Sequence, residues 1–309
     1  MQIVTETDTI NNNITYRGRF APSPTGLLHF GSLLAATASY LQAKKHNGEW
    51  WLRIEDIDPP REVGGASQQI IQTLMDYGFL WDNLSYQSQR LDIYQQYTDV
   101  LLKSKKAYYC GCSRKEIIQH NKGNMHYPNF YPGTCRNGLH GKKARSIRVQ
   151  IESPAVTIND IIQGIQTLNL SESIGDFIIK RADGLFSYQL AVAVDDSEQN
   201  MTQIVRGNDL HESSFQQKYI QQVLKLNTPT YAHIPIAVDY NGLKLCKQHA
   251  ARTIATESPQ RVLWYALQCL NQQPPESLKT QNLGQLWKWS FENWDIHKIQ
   301  RVQSIISPI

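Results

Sequence analysis

Apolar and polar positions follow two rhythms along this chain. Residues 16–20 have the pattern of a strand and run into a turn-rich segment, Pro22-Ser23-Pro24-Thr25-Gly26. A Leu- and Ala-rich stretch over residues 32–45 predicts a helix, and residues 50–54 a second strand. Ile70, Ile71, Leu74 and Met75 recur at helical spacing, with Gly78 as a stop. Another helix is expected over residues 91–105. Strand, helix, strand, helix at this spacing predicts a parallel sheet covered by helices. The rhythm breaks between residues 107 and 145, a stretch too long for a plain loop in a compact domain, so an inserted module with its own staple is expected. Ile147, Val149 and Ile151 alternate like a strand. Residues 177–180 and 185–188 flank Ala182-Asp183-Gly184 as a hairpin would. A helix is expected over residues 212–225. Ser258 and Pro259 mark a helix start, and from there to residue 309 the chain has a mainly helical pattern, with Trp264, Trp287, Trp289 and Trp294 as packing anchors.

Composition changes this picture little. Of 309 residues, 41% are hydrophobic and 19% charged, as in a soluble globular protein. No apolar run reaches the roughly 18 to 20 residues that cross a bilayer. The polar, Asn-rich start lacks the order of a signal peptide. A cytoplasmic monomer with no membrane partner is expected. The net charge of +4 permits a nucleic-acid partner without requiring one. Lys142, Lys143, Arg145 and Arg148 form either a nucleic-acid face or a solvated one.

The candidate chemistry falls in two places. A turn between a strand and a helix, continuing as His29-Phe30-Gly31-Ser32, offers unpaired N–H groups and a positive dipole end to phosphate. Gly31 permits close approach, and His29 can donate to a phosphate oxygen. The five cysteines include a cluster, Cys110-Gly111-Cys112 and Tyr131-Pro132-Gly133-Thr134-Cys135. In a reducing compartment such a trio points to one tetrahedral zinc of structural type. The fourth ligand is open among Tyr131, His126, His120 and Tyr127, and composition favours a histidine.

Arg19-Phe20-Ala21-Pro22-Ser23-Pro24-Thr25-Gly26 with His29-Phe30-Gly31-Ser32 resembles the first signature of the class I glutamyl-tRNA synthetase group. Trp51-Leu52-Arg53-Ile54-Glu55-Asp56-Ile57-Asp58 resembles the next. Asp195-Asp196, Val205-Arg206-Gly207-Asn208-Asp209-Leu210, and Leu243-Lys244-Leu245-Cys246-Lys247-Gln248 follow in the group's order, with Cys246 where the group usually has Ser. The resemblance spans about residues 17–250. It implies an α/β fold: a Rossmann-type parallel-sheet nucleotide-binding domain with an inserted zinc-bearing module and a helical C-terminal part. The expected division is a flexible tail (1–15), the halves of the catalytic domain (16–106 and 176–240), the inserted zinc-bearing, acceptor-type module (107–175) and an ATP-loop and helical region (241–309), with no anticodon-binding domain.

The resemblance also implies roles. Glutamate would be held by Arg19, Phe20, Ala21, Pro22, Ser23, Glu55, Tyr188 and Arg206. The arginine forks suit its carboxylates and Glu55 its ammonium. ATP with Mg2+ would lie against His29, Gly31, Ser32 and Lys247, and His29, Lys244 and Lys247 would act in catalysis. Tyr131 would be the fourth zinc ligand beside Cys110, Cys112 and Cys135. Truncated members of the group load glutamate onto queuosine in the anticodon loop of tRNA(Asp). Val192 stands where discriminating members have Asn. Charging of the tRNA 3′ end, transfer of activated glutamate to a small molecule or protein, and a non-catalytic tRNA-binding role are the rival expectations.

Overall fold

The computed structural model describes residues 15–121, 130–152, 155–245 and 253–308. In chain order its elements begin with β1 (Arg17–Phe20), α1 (Phe30–Lys45), β2 (Glu49–Ile54), α2 (Ala66–Asp76), β3 (Asn83–Tyr86) and α3 (Leu91–Lys103). The middle of the chain gives β4 (Ala107–Cys110), α4 (Arg114–His120), β5 (Ser146–Val149), β6 (Ala155–Asp160), β7 (Gly164–Asn169), α5 (Leu170–Ser173) and β8 (Ile178–Lys180). Then come α6 (Tyr188–Glu198), β9 (Gln203–Gly207), α7 (His211–Leu224), β10 (Thr230–Ile234) and β11 (Ile236–Val238), followed by α8 (Pro259–Cys269), α9 (Leu283–Asn293) and β12 (Ser304–Ile306).

The strands β1, β2 and β3 pair in parallel, in that order. β9, β10 and β6 also run parallel, and β7 closes that sheet antiparallel to β6. Thr202, just before β9, joins the two sheets: its N–H donates to the Arg17 carbonyl at 2.9 Å, and its hydroxyl accepts from the Arg17 N–H at 2.9 Å. From β1 the chain proceeds outward to β2 and β3, and from β9 outward the other way to β10. The strand order therefore reverses between β1 and β9, and the crevice beyond their carboxyl ends is where open α/β sheets bind ligands.

α1 is buried on every face, from Phe30 through Ala43, so it must be covered all round. It lies between β1, β2 and β9 on one side and α8 and α9 on the other. Tyr40, Trp50, Phe79 and Trp287 pack edge-to-face and stacked beneath it. Three of the four anchoring tryptophans also satisfy their indole N–H. Trp287 donates to the Tyr77 carbonyl at 2.9 Å, Trp294 to Gln42 Oε1 at 2.9 Å and Trp264 to the Pro275 carbonyl at 3.0 Å. Trp289 packs against the same core, half-buried.

One sequence expectation is corrected. Residues 185–188 do not form the second strand of a hairpin. Phe186 makes a single bridge to Lys180, and Ser187 then caps α6, its hydroxyl accepting from the Leu190 N–H at 3.3 Å. The run Leu190-Ala191-Val192-Ala193-Val194 is wholly buried, so it carries no helical rhythm to read.

The antiparallel sheet β4-β5-β8 carries the cysteine cluster at one end. Asp176 ties it to the chain. Its carboxylate accepts a two-pronged pair of bonds from Arg136, at 2.6 and 2.7 Å, together with the Ile151 N–H at 2.8 Å and the Tyr108 hydroxyl. β6 and β7, although within residues 107–175, bond instead into the sheet of β10.

Candidate active site and metal centre

A cavity of about 420 Å3 opens at the β1/β9 crevice, within the range of small-molecule sites. Arg19, Phe20, Ala21 and Ser23 line it from β1 and the turn, and His29, Gly31 and Ser32 from the start of α1. Tyr188 contributes from α6, Arg206 from β9, and Lys244 from the segment after β11. Sequence positions as far apart as 19 and 244 thus share one wall. Pro22 and Glu55 do not line it. They are joined to each other by the Glu55 N–H, which donates to the Pro22 carbonyl at 3.0 Å. Lys247, with Cys246, lies outside the described residues.

His29 caps α1. Its Nδ1 accepts from the Ser32 N–H at 3.3 Å, and the ring sits so close to Gly31 that a Cβ there would meet it at 3.1 Å. That leaves a helix N-terminus with a histidine at its mouth, an arrangement suited to an anion. Lys244 reaches the same cavity while paired with Asp209 at 2.5 Å.

The two arginines differ. Arg19 is 3% exposed and pairs with Asp196, Nε to Oδ1 at 3.2 Å and Nη2 to Oδ2 at 3.3 Å. Arg206 stands at the end of β9, just before the Gly207-Asn208 turn. It is 4% exposed, because α7 turns Ser214 and Gln217 inward to meet it. It donates from Nη1 to the Tyr188 hydroxyl at 3.2 Å, and from Nη2 to Ser214 Oγ at 2.5 Å and Gln217 Oε1 at 2.8 Å. Nε donates to His233 Nε2 at 3.3 Å. Among the described residues no carboxylate pairs with it. Glu55 is the complement: it is buried, and its Oε1 has no hydrogen-bond partner among the described residues. Burial pushes its carboxyl up to about 7, against the opposing pull of Arg53 and Arg19. Among the described residues Arg206 meets no carboxylate and Glu55 Oε1 no hydrogen-bond donor, and such a buried pair suits a ligand that carries both charges.

Asp196, Asp209, Ser214, Gln217 and His233 were not singled out as site residues from the sequence. Asp195-Asp196 was visible as a motif without a role. The serine and the glutamine sit on a helix whose polar positions gave no signal of pointing inward.

At the cysteine cluster, the three thiol sulfurs of Cys110, Cys112 and Cys135 lie within 4.8 Å of one another. Cys112 and Cys135 are 3.6 Å apart. Zinc–sulfur bonds of about 2.3 Å in a tetrahedron give sulfur–sulfur edges of about 3.8 Å, so the donors fit one zinc. The Tyr131 hydroxyl stands 3.2 Å from Cys110 Sγ and 3.6 Å from Cys112 Sγ, and accepts the Cys135 N–H at 3.0 Å. Gly175, at φ +68°, lets its backbone press on the Tyr131 carbonyl where a Cβ would come within 2.1 Å, and the Arg148 guanidinium covers the Tyr131 ring at 3.9 Å. His120 is near enough to share a cavity wall with Cys112 and Tyr131, while His126 and Tyr127 lie outside the described residues. The basic cluster of the sequence divides here. Lys142 pairs with Glu116 at 2.6 Å and Arg148 is buried, which leaves Lys143 and Arg145 exposed.

Residues 15–262 match the catalytic domain of the tRNA synthetases class I (E and Q), and the chain belongs to that family. Within it, the chain is similar over nearly its whole length to proteins named glutamyl-Q tRNA(Asp) synthetase. The one from Chromobacterium violaceum is 44% identical over 290 residues, covering 93% of this chain and 96% of that protein. The one from Pseudomonas aeruginosa is 42% identical over 292 residues, covering 94% and 97%. The fold is that of the glutamate-tRNA synthetase of Elizabethkingia anophelis, with a TM-score of 0.78 over 94% of this chain and 68% of that one, at 24% identity. No helix among the described residues is long and apolar enough to cross a membrane.

Proposed function

We propose that this chain is a ligase that activates L-glutamate with ATP and transfers it to queuosine in the anticodon loop of tRNA(Asp). The observation that carries the glutamate assignment is the unmatched pair of buried charges. Arg206 would take a carboxylate through its remaining Nη1–H in a charge-assisted hydrogen bond, and Glu55 the ammonium. Arg19, Ser23 and Tyr188 would complete the cradle, with Phe20 and Ala21 as its wall and the Pro22 carbonyl holding the Glu55 backbone behind it. The similarity to proteins named glutamyl-Q tRNA(Asp) synthetase supports the acceptor.

In the first step an α-carboxylate oxygen of glutamate attacks the α-phosphorus of ATP. The bond to the bridging oxygen breaks and pyrophosphate leaves; Mg2+ bound to the phosphates would offset part of its charge. His29, Gly31 and Ser32 would steady the phosphates at the α1 N-terminus, and Lys244 and Lys247 would offset the charge that builds on the leaving group. In the second step a hydroxyl of the cyclopentenediol attacks the adenylate carbonyl, the carbon–oxygen bond to AMP breaks, and the hydroxyl proton is lost to solvent. Neither step needs a protein nucleophile; position and charge do the work. A larger cleft of about 770 Å3 beside the cysteine cluster is lined by Arg114, Arg145, Arg148 and Arg181 against Asp176 and Asp183, a net positive wall suited to a nucleic-acid backbone.

The test is glutamylation of tRNA(Asp) with and without queuosine, together with glutamate-dependent ATP–pyrophosphate exchange. Charging of the modified tRNA alone is expected. Equal charging of both, with the label on the 3′ adenosine, would overturn the acceptor assignment. For the metal, we propose Tyr131 as fourth ligand and expect one zinc per chain. A Cys135→Ser variant that retains full metal and stability would contradict it.

A further inference from the structure

The partners of Arg206 include a side chain that the reaction does not use. His233 is 0% exposed and stands directly across the parallel ladder from Arg206, each the other's Cα partner in β10 and β9. On its far side, Nδ1 lies 2.6 Å from Asp160 Oδ2, at the end of β6. On its near side, Nε2 lies 3.3 Å from Arg206 Nε and 2.9 Å from Ser214 Oγ. A guanidinium Nε–H can only donate. Nε2 must therefore carry a lone pair, and the ring's proton must sit on Nδ1.

Resting on the glutamate reading above, we propose that Asp160 and His233 are positioning residues for Arg206. The carboxylate holds His233 as the Nδ1–H tautomer, whose Nε2 lone pair fixes Arg206 Nε. The guanidinium is thereby held with Nη1 toward Tyr188 and the ligand cavity. The logic is that of a buried carboxylate setting a histidine tautomer in a hydrolase triad, here applied to an arginine instead of a nucleophile.

The surroundings keep the ring neutral. Burial pushes His233 down to about 4 in spite of the Asp160 hydrogen bond, and Arg206 and His211 disfavour a second positive charge. The groups facing it are Asp160 from β6, Arg206 from β9, His211 and Ser214 from α7, and Tyr231 from its own strand. Asp160 also has a structural task. Its Oδ1 accepts the Ile162 and Gln163 N–H groups at 2.9 and 2.8 Å, holding the turn after β6. That task falls on Oδ1 and the ring bond on Oδ2, while the His233 backbone N–H is shared between the two oxygens at 3.2 and 3.1 Å, so an oxygen at the Oδ1 position alone can keep the backbone contacts without the ring bond.

Asp160→Asn separates them. The amide oxygen can keep the turn while its NH2, in place of Oδ2, donates to His233 Nδ1. The proton then moves to Nε2 and meets Arg206 Nε–H head on. In ATP–pyrophosphate exchange we expect the glutamate KM to rise at least about tenfold, with kcat and the ATP KM within about twofold. Loss of the turn alone would lower thermal stability without moving glutamate KM selectively. Neutron diffraction from crystals of the unmodified protein supplies a second readout that does not depend on the variant folding: deuterium on His233 Nδ1 and none on Nε2. Deuterium on Nε2, or a folded Asp160→Asn protein with unchanged glutamate KM, would overturn the proposal. If the unmodified protein shows no glutamate-dependent exchange, the glutamate reading itself fails, and the neutron result still decides the tautomer.

Discussion

Two buried clusters of charge lie next to each other at the β1/β9 crevice, and they are balanced in different ways. In the first, the paired aspartates at the end of α6 are matched within the fold. Asp196 takes Arg19 and, at 2.7 Å, Arg53. Asp195 takes Arg90 at 2.7 Å, with Gln87 and Tyr94 at 2.8 Å. Burial would raise the Asp196 carboxyl, but Arg19 and Arg53 outweigh it and hold it below the ordinary range. In the second cluster, among the described residues, Arg206 has only neutral partners and Glu55 keeps a bare oxygen. Both use the same residue types at similar depth. A charge matched inside the chain holds elements together, whereas a charge left unmatched holds a place for something else. Arg19 belongs to both, since it pairs with Asp196 and also faces the cavity.

The strongest way to break this distinction is Asp196→Ala. It strands Arg19 and Arg53 in the interior, and breaking a buried pair in this way costs about 3 to 5 kcal/mol. Denaturant unfolding should show that loss whether or not ligand is present. A variant as stable as the parent would mean that the first cluster is not a structural brace. Next in size is Arg206→Ala, which should weaken glutamate by about 2 to 3 kcal/mol, the worth of a buried charge-assisted hydrogen bond. Because Arg206 is buried, stability should fall as well, through the unpaired Ser214, Gln217 and His233, though by less than in Asp196→Ala. An unchanged glutamate KM in exchange kinetics would remove Arg206 from the ligand site.

Glu55 sharpens the contrast through pH. Its folded-state pKa is raised to about 7, so the stability linked to its neutral form is present at low pH and is lost as pH rises through 7. The ligand-free protein should therefore weaken over that window, and Glu55→Gln should not. An ammonium needs the carboxylate, so glutamate binding should run the other way. Its KM should fall about tenfold between pH 6 and pH 8, the ratio of ionised fractions for a group titrating at 7. A flat profile in the parent protein would detach Glu55 from the ammonium.

Much of this was legible in the sequence, for reasons that differ by region. β1, α1, β2 and α3 showed themselves through rhythm and through the Pro-Gly punctuation between them. The cysteine spacing indicated a metal cluster because three thiols in one irregular stretch have few other uses. α6 did not show itself: a helix buried all round has no polar face, and Ser187 was its one local mark. The balance of charge was illegible for another reason. Arg19 and Asp196 are 177 positions apart, and only the fold says which arginine finds an aspartate and which does not.

The smallest effect tests whether the open cluster is complete. Val192 is fully buried on α6, one helical turn beyond Tyr188 and therefore on its face of the helix. Tyr188 faces the cavity and accepts from Arg206, so residue 192 lies behind it on the same side. Discriminating members of the resembled group carry Asn there, and valine can offer the ligand no hydrogen bond. The site should therefore hold glutamate less tightly by about 1 kcal/mol, or roughly fivefold, than one with the amide. Rejection of glutamine should survive, because an arginine fork facing a neutral amide forfeits its charge-assisted bonds. Val192→Asn should lower the glutamate KM by that factor and leave glutamine activation negligible. The same amide is buried, so the ligand-free variant should lose about 1 to 3 kcal/mol if nothing in the fold satisfies it, and bound glutamate should restore part of that loss. Exchange kinetics with both amino acids, and thermal unfolding with and without glutamate, measure the two halves. If the variant is destabilised equally with and without glutamate and its KM does not fall, residue 192 does not reach the ligand, and Arg206 and Glu55 close the list of unmatched partners without it.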